Sequence, residues 1–109
     1  MKQEKSVSHW VRLCSLTEAP RSGTVKEAVA TGVSFCLANL EGKLHATGNV
    51  CPHRGAPLAE GWIENGKLVC PWHAWTFDLN TGCADSPEGE KVSVFPLRIE
   101  GEDVQVEVE

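Results

Sequence analysis

The 109-residue chain contains no tyrosine and one methionine, so four tryptophans and three phenylalanines supply all of its aromatic surface. It also lacks any excess of positive charge. Ten Lys and Arg stand against fifteen Asp and Glu, a formal net charge of −5. A nucleic-acid binder normally presents a basic face, so that class is excluded. No apolar run approaches the roughly 20 residues that a membrane-spanning helix requires, so no membrane association is expected. The opening Met1-Lys2-Gln3-Glu4-Lys5 leads into no apolar stretch, so an export signal is not expected and the cytoplasm is the default compartment. At 41% hydrophobic and 23% charged residues the composition is that of a folded protein rather than a disordered one. The length predicts one domain, residues 1–109.

An even set of cysteines is missing too. Five cannot close into a full set of disulfides, and in a reducing compartment clustered Cys more often signals metal or redox chemistry. Three of the four tryptophans, Trp62, Trp72 and Trp75, fall close to two of these cysteines.

No amphipathic helix stands out; the pattern is that of short strands. His9 to Leu13 alternates, Thr24 to Val29 follows, and the apolar run Val33 to Leu40 reads as a central strand. Glu41-Gly42 turns the chain into Lys43 to Ala46, and Asn65-Gly66 between Trp62-Ile63 and Lys67-Leu68-Val69 is a strong hairpin signal. Thr76 to Leu79 precedes a turn at Asn80-Thr81-Gly82, and the strands Val92 to Ile99 and Val104 to Val108 flank Gly101-Glu102. Strands and turns at this spacing predict an all-β, antiparallel sandwich or barrel. Thr47 to Pro57 does not fit a strand, and Pro71-Trp72-His73 interrupts the pattern again.

These two interruptions carry the chemistry. Cys51-Pro52-His53 is followed, after sixteen residues, by Cys70-Pro71-Trp72-His73. Two loops at strand ends would each offer one thiolate and one imidazole across a hairpin. A structural zinc site uses the same ligand types, but zinc spacings usually pair Cys with Cys and His with His, which these mixed pairs fit poorly. A zinc site absorbs no visible light, so a coloured protein would set that reading aside.

The segment from Asn49 to Gly82, about a third of the chain, resembles Rieske [2Fe–2S] proteins in ligand type, order and spacing. The resemblance implies a Rieske-type β-sandwich or barrel with a cluster-binding subdomain of two loops at approximately residues 47–82. It also implies a [2Fe–2S] cluster with Cys51 and Cys70 on one iron and His53 and His73 on the other. Neutral imidazoles in place of two thiolates leave the oxidised cluster without net charge, so an added electron costs less and the potential rises. The second imidazole nitrogen can hold a proton that binds more tightly on reduction, so the potential should fall as pH rises past the oxidised-state His pKa values.

High-potential members of the family carry a loop-bridging disulfide and hydroxyls directed at the cluster sulfurs. Here the disulfide positions are Ala56 and Trp72, and the hydroxyl positions are Trp75 and Phe77. With fewer donors to the sulfurs, the potential is expected near the low end of the Rieske range, at about −150 mV. Backbone N–H groups of the loops should supply the remaining hydrogen bonds, with Gly55 allowing a close approach.

The other candidates have plainer readings. Cys14 and Cys36 lie in strands and are expected to be buried, whereas Cys83 follows a turn as a surface thiol. His9 and His45 read as ordinary strand residues, and Trp72 and Trp75 as core packing that also shields the cluster. Arg54 fits a solvated loop position as well as it fits neutralisation of the reduced cluster or contact with a partner. The acidic C-terminal third is a solvated face that could steer a basic partner.

No nucleophile or acid–base pair marks an enzyme. The family likeness implies a one-electron carrier, a soluble ferredoxin passing electrons from a reductase, flavin-dependent by expectation, to a terminal oxygenase or similar oxidoreductase. The alternative is the small Rieske-like subunit of an assimilatory nitrite reductase, partnered by its large subunit, which the stretch from Cys70 to Gly82 also resembles.

Overall fold

A computed structural model describes residues 8–52, 55–72, 75–84 and 90–108. Among the described residues ten strands run in chain order: β1 (His9–Ser15), β2 (Val25–Ala30), β3 (Val33–Leu40), β4 (Lys43–Gly48), β5 (Trp62–Glu64), β6 (Lys67–Val69), β7 (Thr76–Asp78), β8 (Val94–Phe95), β9 (Leu97–Glu100) and β10 (Asp103–Val108). They form three sheets, ordered β1-β10-β9, β2-β3-β4-β8 and β5-β6-β7. Every strand pairing is antiparallel. The all-β expectation therefore holds.

β3 explains how the layers meet. Phe35, Cys36, Leu37 and Ala38 are all fully buried, because successive side chains of a strand point to opposite faces and both faces of β3 are covered. Phe35 and Leu37 enter a core with Leu13, Ala28, Ala46 and Val106, where Phe35 meets Phe95 edge to face at 5.1 Å. Cys36 and Ala38 enter a second core with Leu58, Leu68, Phe77 and Leu79. A strand covered on both sides reads as a continuous apolar run, which is how Val33–Leu40 stands out in the sequence.

Two expectations need correction. The irregular segment begins at Asn49 and not at Thr47, because β4 runs on to Gly48, pairing Thr47 with Cys36 and Gly48 with Phe35. The single strand expected over Val92 to Ile99 is divided at Pro96. β8 pairs with β4 in one sheet and β9 with β10 in another. Proline has no N–H to donate to a ladder, and the Pro96 carbonyl accepts instead from the Glu107 N–H at 3.0 Å. The chain changes sheets at the residue that cannot continue either one.

The Asn65-Gly66 hairpin forms as expected, with both turn residues at positive φ. No α-helix occurs among the described residues, and none of their helices is long and apolar enough to cross a membrane. Two single turns of 3₁₀ helix, Leu16–Glu18 and Leu58–Glu60, were not legible in the sequence. The first is closed by the Ser15 N–H donating to the Glu18 carboxylate at 3.0 Å.

Candidate functional site

The two interrupted segments form loops of one plan. In the first, the Cys51 N–H donates to the Ala56 carbonyl at 2.9 Å; in the second, the Cys70 N–H donates to the Trp75 carbonyl at 2.8 Å. Each closure spans six residues and opens on a Cys-Pro pair. The first loop is tightened by the Gly55 N–H donating to the Cys51 carbonyl at 2.8 Å and by a bridge between Val50 and Pro57. Gly55, singled out for close approach, has a backbone requirement. Its φ is +78°, and an added Cβ would meet no protein atom within 4 Å. The second loop hangs between β6 and β7. At the end of β7, Asp78 accepts from the Asn80 and Thr81 N–H groups at 2.7 and 3.0 Å, which hold its carboxyl below the ordinary range.

Cys51 and Cys70 converge. They are 1% and 0% exposed, carry free thiols, and belong to the second core. Burial pushes the Cys70 thiol up to about 11, the adjoining Cys51 sulfur adds to that, and the Trp72 N–H opposes it by donating to the Cys70 sulfur. A pair of unbridged, desolvated sulfurs, with a backbone N–H aimed at one of them, is a donor set suited to a soft metal centre. His53 and His73, like Arg54, lie outside the described residues. Among the described residues no group of three or more His, Cys, Asp or Glu side chains converges as a metal site.

The aromatic neighbours divide. Trp75 packs against the second core, its ring 6.5 Å from that of Phe77. Trp72 does not pack inside as expected: it is 47% exposed, and Val50, beside Cys51, is 64% exposed. Val50 and Trp72 therefore present apolar surface within two residues of the buried cysteines. Neither Ala56 nor Trp72 can supply a bridging thiol, and neither Trp75 nor Phe77 carries a hydroxyl.

The remaining candidates sit away from the sulfurs. Cys36 is fully buried and its thiol is pushed up to about 12 by desolvation. Cys14 is only partly buried, and Cys83 is exposed as expected. His9 and His45 lie on β1 and β4. Burial, with Lys43 adding, lowers the His45 pKa; Asp78 and the hydrogen bond to the Leu79 carbonyl oppose that shift. Of the acidic C-terminal residues, Asp103 pairs with Arg12 at 2.9 Å and Glu100 with Arg98 at 3.6 Å. These exposed pairs contribute little stability.

Three residues in this neighbourhood escaped the sequence reading. Asn49, 7% exposed, is one of the few buried polar side chains. Leu58 is fully buried beneath the loops. Gly61 lies so close to β6 that an added Cβ would stand 1.9 Å from the Val69 carbonyl oxygen.

All of this describes an all-β protein whose paired loops bury two free cysteine thiols side by side. Comparison with known proteins specifies it further. Residues 9–96 match the family model described as Rieske [2Fe-2S] domain, and the chain belongs to that family. It is 32% identical, over 91% of its length and 95% of the relative's, to the ferredoxin component of the naphthalene 1,2-dioxygenase system of Pseudomonas aeruginosa. Among solved structures it superposes on a ferredoxin of Sphingomonas yanoikuyae B1 with a TM-score of 0.83 and 25% identity, covering 93% of this chain and 100% of that one. It shares its fold with an NADH-dependent nitrite reductase small subunit from Mycobacterium tuberculosis, at a TM-score of 0.85 and 23% identity over 95% and 98% of the two chains. The protein is thus an electron carrier of the Rieske ferredoxin kind, and its cofactor is a [2Fe–2S] cluster.

Proposed function

We propose that Cys51, His53, Cys70 and His73 hold the cluster within one domain over residues 1–109, with the cluster-binding part at approximately 47–82. The observation that carries this reading is the convergence of the Cys51 and Cys70 thiols, almost fully buried and unbridged, in loops closed by equivalent hydrogen bonds. Bound there, the cluster supplies one-electron redox chemistry. The chain's part is to exclude water from the sulfurs, direct backbone donors at them, and present a surface on which partners can dock.

Val50 and Trp72 make that surface apolar beside the site, which suits a small, transient contact. The electron would come from a reductase, flavin-dependent in this reading, and pass to a terminal oxygenase, in keeping with the dioxygenase-system ferredoxin that the chain is similar to. The cytoplasm is the proposed compartment. The nitrite reductase reading keeps the same carrier role with a large reductase subunit as acceptor, and rests on the sequence from Cys70 to Gly82.

Iron and acid-labile sulfide analysis of anaerobically prepared protein, with Cys51→Ser, Cys70→Ser, His53→Ala and His73→Ala variants, tests the ligand assignment. Each variant should lose the visible absorption of the wild type. Full retention of iron in any one of them removes that residue from the set.

A further inference from the structure

The single turn Leu58–Glu60 lies between the two cysteine loops, and its first donors have no local partner. The residue before it is Pro57, which offers no side-chain cap, so the N–H groups of Leu58 and Ala59 must be satisfied from elsewhere. Asn49, ten positions before Ala59, takes both. Its backbone carbonyl accepts from the Leu58 N–H at 3.1 Å, and its side-chain oxygen accepts from the Ala59 N–H at 2.7 Å. Its side-chain amide donates to the Ser34 Oγ on β3 at 3.0 Å, and the Ser34 hydroxyl donates in turn to the Glu27 carboxylate on β2 at 2.5 Å. The polarity of the chain is consistent at every link, since a serine hydroxyl can accept one bond while donating another.

The far end of the same turn leads to the second loop. Gly61 closes it with its N–H on the Leu58 carbonyl at 2.9 Å and lies directly against the Val69 carbonyl, one residue before Cys70. Leu58 is fully buried in the core that contains both cysteines. A continuous set of contacts therefore runs from Glu27 and Ser34 through Asn49 and the turn to Val69 and Cys70.

We propose that Asn49 is a positioning residue of the redox site: by capping the Leu58–Glu60 turn from a distance, it sets the spacing between the Cys51 loop and the Cys70 loop. The proposal rests on Cys51 and Cys70 being cluster ligands. Removing the side-chain acceptor leaves the part-buried Ala59 N–H without its partner, which costs enough to speed opening of the turn about tenfold.

The test uses holoprotein of the wild type and of Asn49→Ala, Asn49→Asp, Ser34→Ala and Cys51→Ser. The rate of bleaching of the visible absorption, the reduction potential and the paramagnetic resonance spectrum of the reduced state are measured, with far-ultraviolet circular dichroism reporting the fold. The expected result for Asn49→Ala is bleaching about tenfold faster, with a displaced potential and altered spectrum while the strand signal persists. Asn49→Asp, which keeps an oxygen for the Ala59 N–H, should restore most of the wild-type behaviour, and Ser34→Ala should have a smaller effect.

An Asn49→Ala protein with wild-type lifetime, potential and spectrum overturns the proposal. Equal impairment of the Ala and Asp variants does so as well, because the acceptor oxygen would then not be what matters. If Asn49→Ala yields no holoprotein, recovery of the cluster in Asn49→Asp supports the proposal and its absence overturns it. A Cys51→Ser protein that keeps its iron overturns the ligand assignment itself; one that loses its iron while Asn49→Ala is unaffected overturns only the role of Asn49.

Discussion

Replacing Gly61 with alanine should injure the redox site through a clash rather than through a positive φ. Gly61 has φ −84°, so no left-handed conformation is forced on it. The constraint is space. A Cβ would lie 1.9 Å from the Val69 carbonyl oxygen, 3.0 Å from its carbon and 3.2 Å from the Leu58 oxygen. A close carbon–oxygen contact is about 3.3 Å, so the two segments would have to part by more than 1 Å, roughly the difference between those values. Neither side yields easily. The Gly61 N–H is held by Leu58, and Val69 lies in the middle strand of its sheet, paired to Trp62 on one side and Thr76 on the other.

Overpacking of this kind costs about 1–3 kcal/mol, or more where the neighbours are rigid. In a domain of this size that lowers the melting temperature by about 5 to 15 °C. Differential scanning calorimetry of the holoprotein, followed alongside by visible absorption, should show the loss together with faster bleaching. Gly48→Ala is the control, since its Cβ would touch only the Val92 methyl at 3.9 Å. If Gly61→Ala melts and bleaches like wild type, the close contact with Val69 does not space the loops.

Other outcomes follow from the same structure. Protein-film voltammetry should place the potential near about −150 mV, falling at alkaline pH; a value above about +100 mV would contradict the argument from the missing hydroxyls of Trp75 and Phe77 and the missing bridge at Ala56 and Trp72. Brief alkylation of the native holoprotein should label exposed Cys83 first, partly buried Cys14 slowly, and Cys36 not at all, because Cys36 has no exposed surface and a thiol pushed up to about 12; peptide mass mapping showing Cys36 labelled ahead of Cys83 would refute this order. His45 is held below its ordinary value of 6.5 by burial and Lys43, so the unfolded chain takes up that proton first. Its contribution to stability is therefore present above 6.5 and declines as pH falls through 6.5 towards the lower folded value. Denaturant titrations across this range should show wild-type stability falling more steeply with decreasing pH than that of His45→Gln, and identical pH profiles would count against it.

The sequence was most legible where a local rule dominates. Asn65-Gly66 and Glu41-Gly42 supply residues that turn a hairpin, and both turns form where expected. Val33–Leu40 was recognisable in full because burial on both faces removes any need for polar alternation. Legibility ended where a residue's role depends on distant parts of the chain. Val92 to Ile99 has the composition of one strand, but Pro96 hands the chain from β4 to β10. Trp72 and Trp75 look equivalent as large apolar groups around a Cys-Pro loop. Only the fold distinguishes them, with Trp75 beside Phe77 and Trp72 half exposed at the surface.

The same distinction separates the ligand motif from the parts that support it. Cys-Pro-His and Cys-Pro-Trp-His, the proposed ligand motif, stand out in the sequence because metal ligands must be particular residue types at particular spacings. Asn49 and Gly61 leave no comparable mark. In sequence, Asn49 stands next to a glycine in an irregular stretch and reads as a turn former, whereas its side chain is committed to Ala59 and Ser34, ten and fifteen positions away. Gly61 follows a turn in the ordinary way, and only its approach to Val69 excludes a side chain. Both act on the second core, which contains Cys51 and Cys70 as members alongside Leu58 and Phe77. Close-packed interiors transmit small displacements, so on the proposed ligand assignment the packing of that core and the geometry offered to the cluster are one property, and substitutions that disturb either will be read out in both.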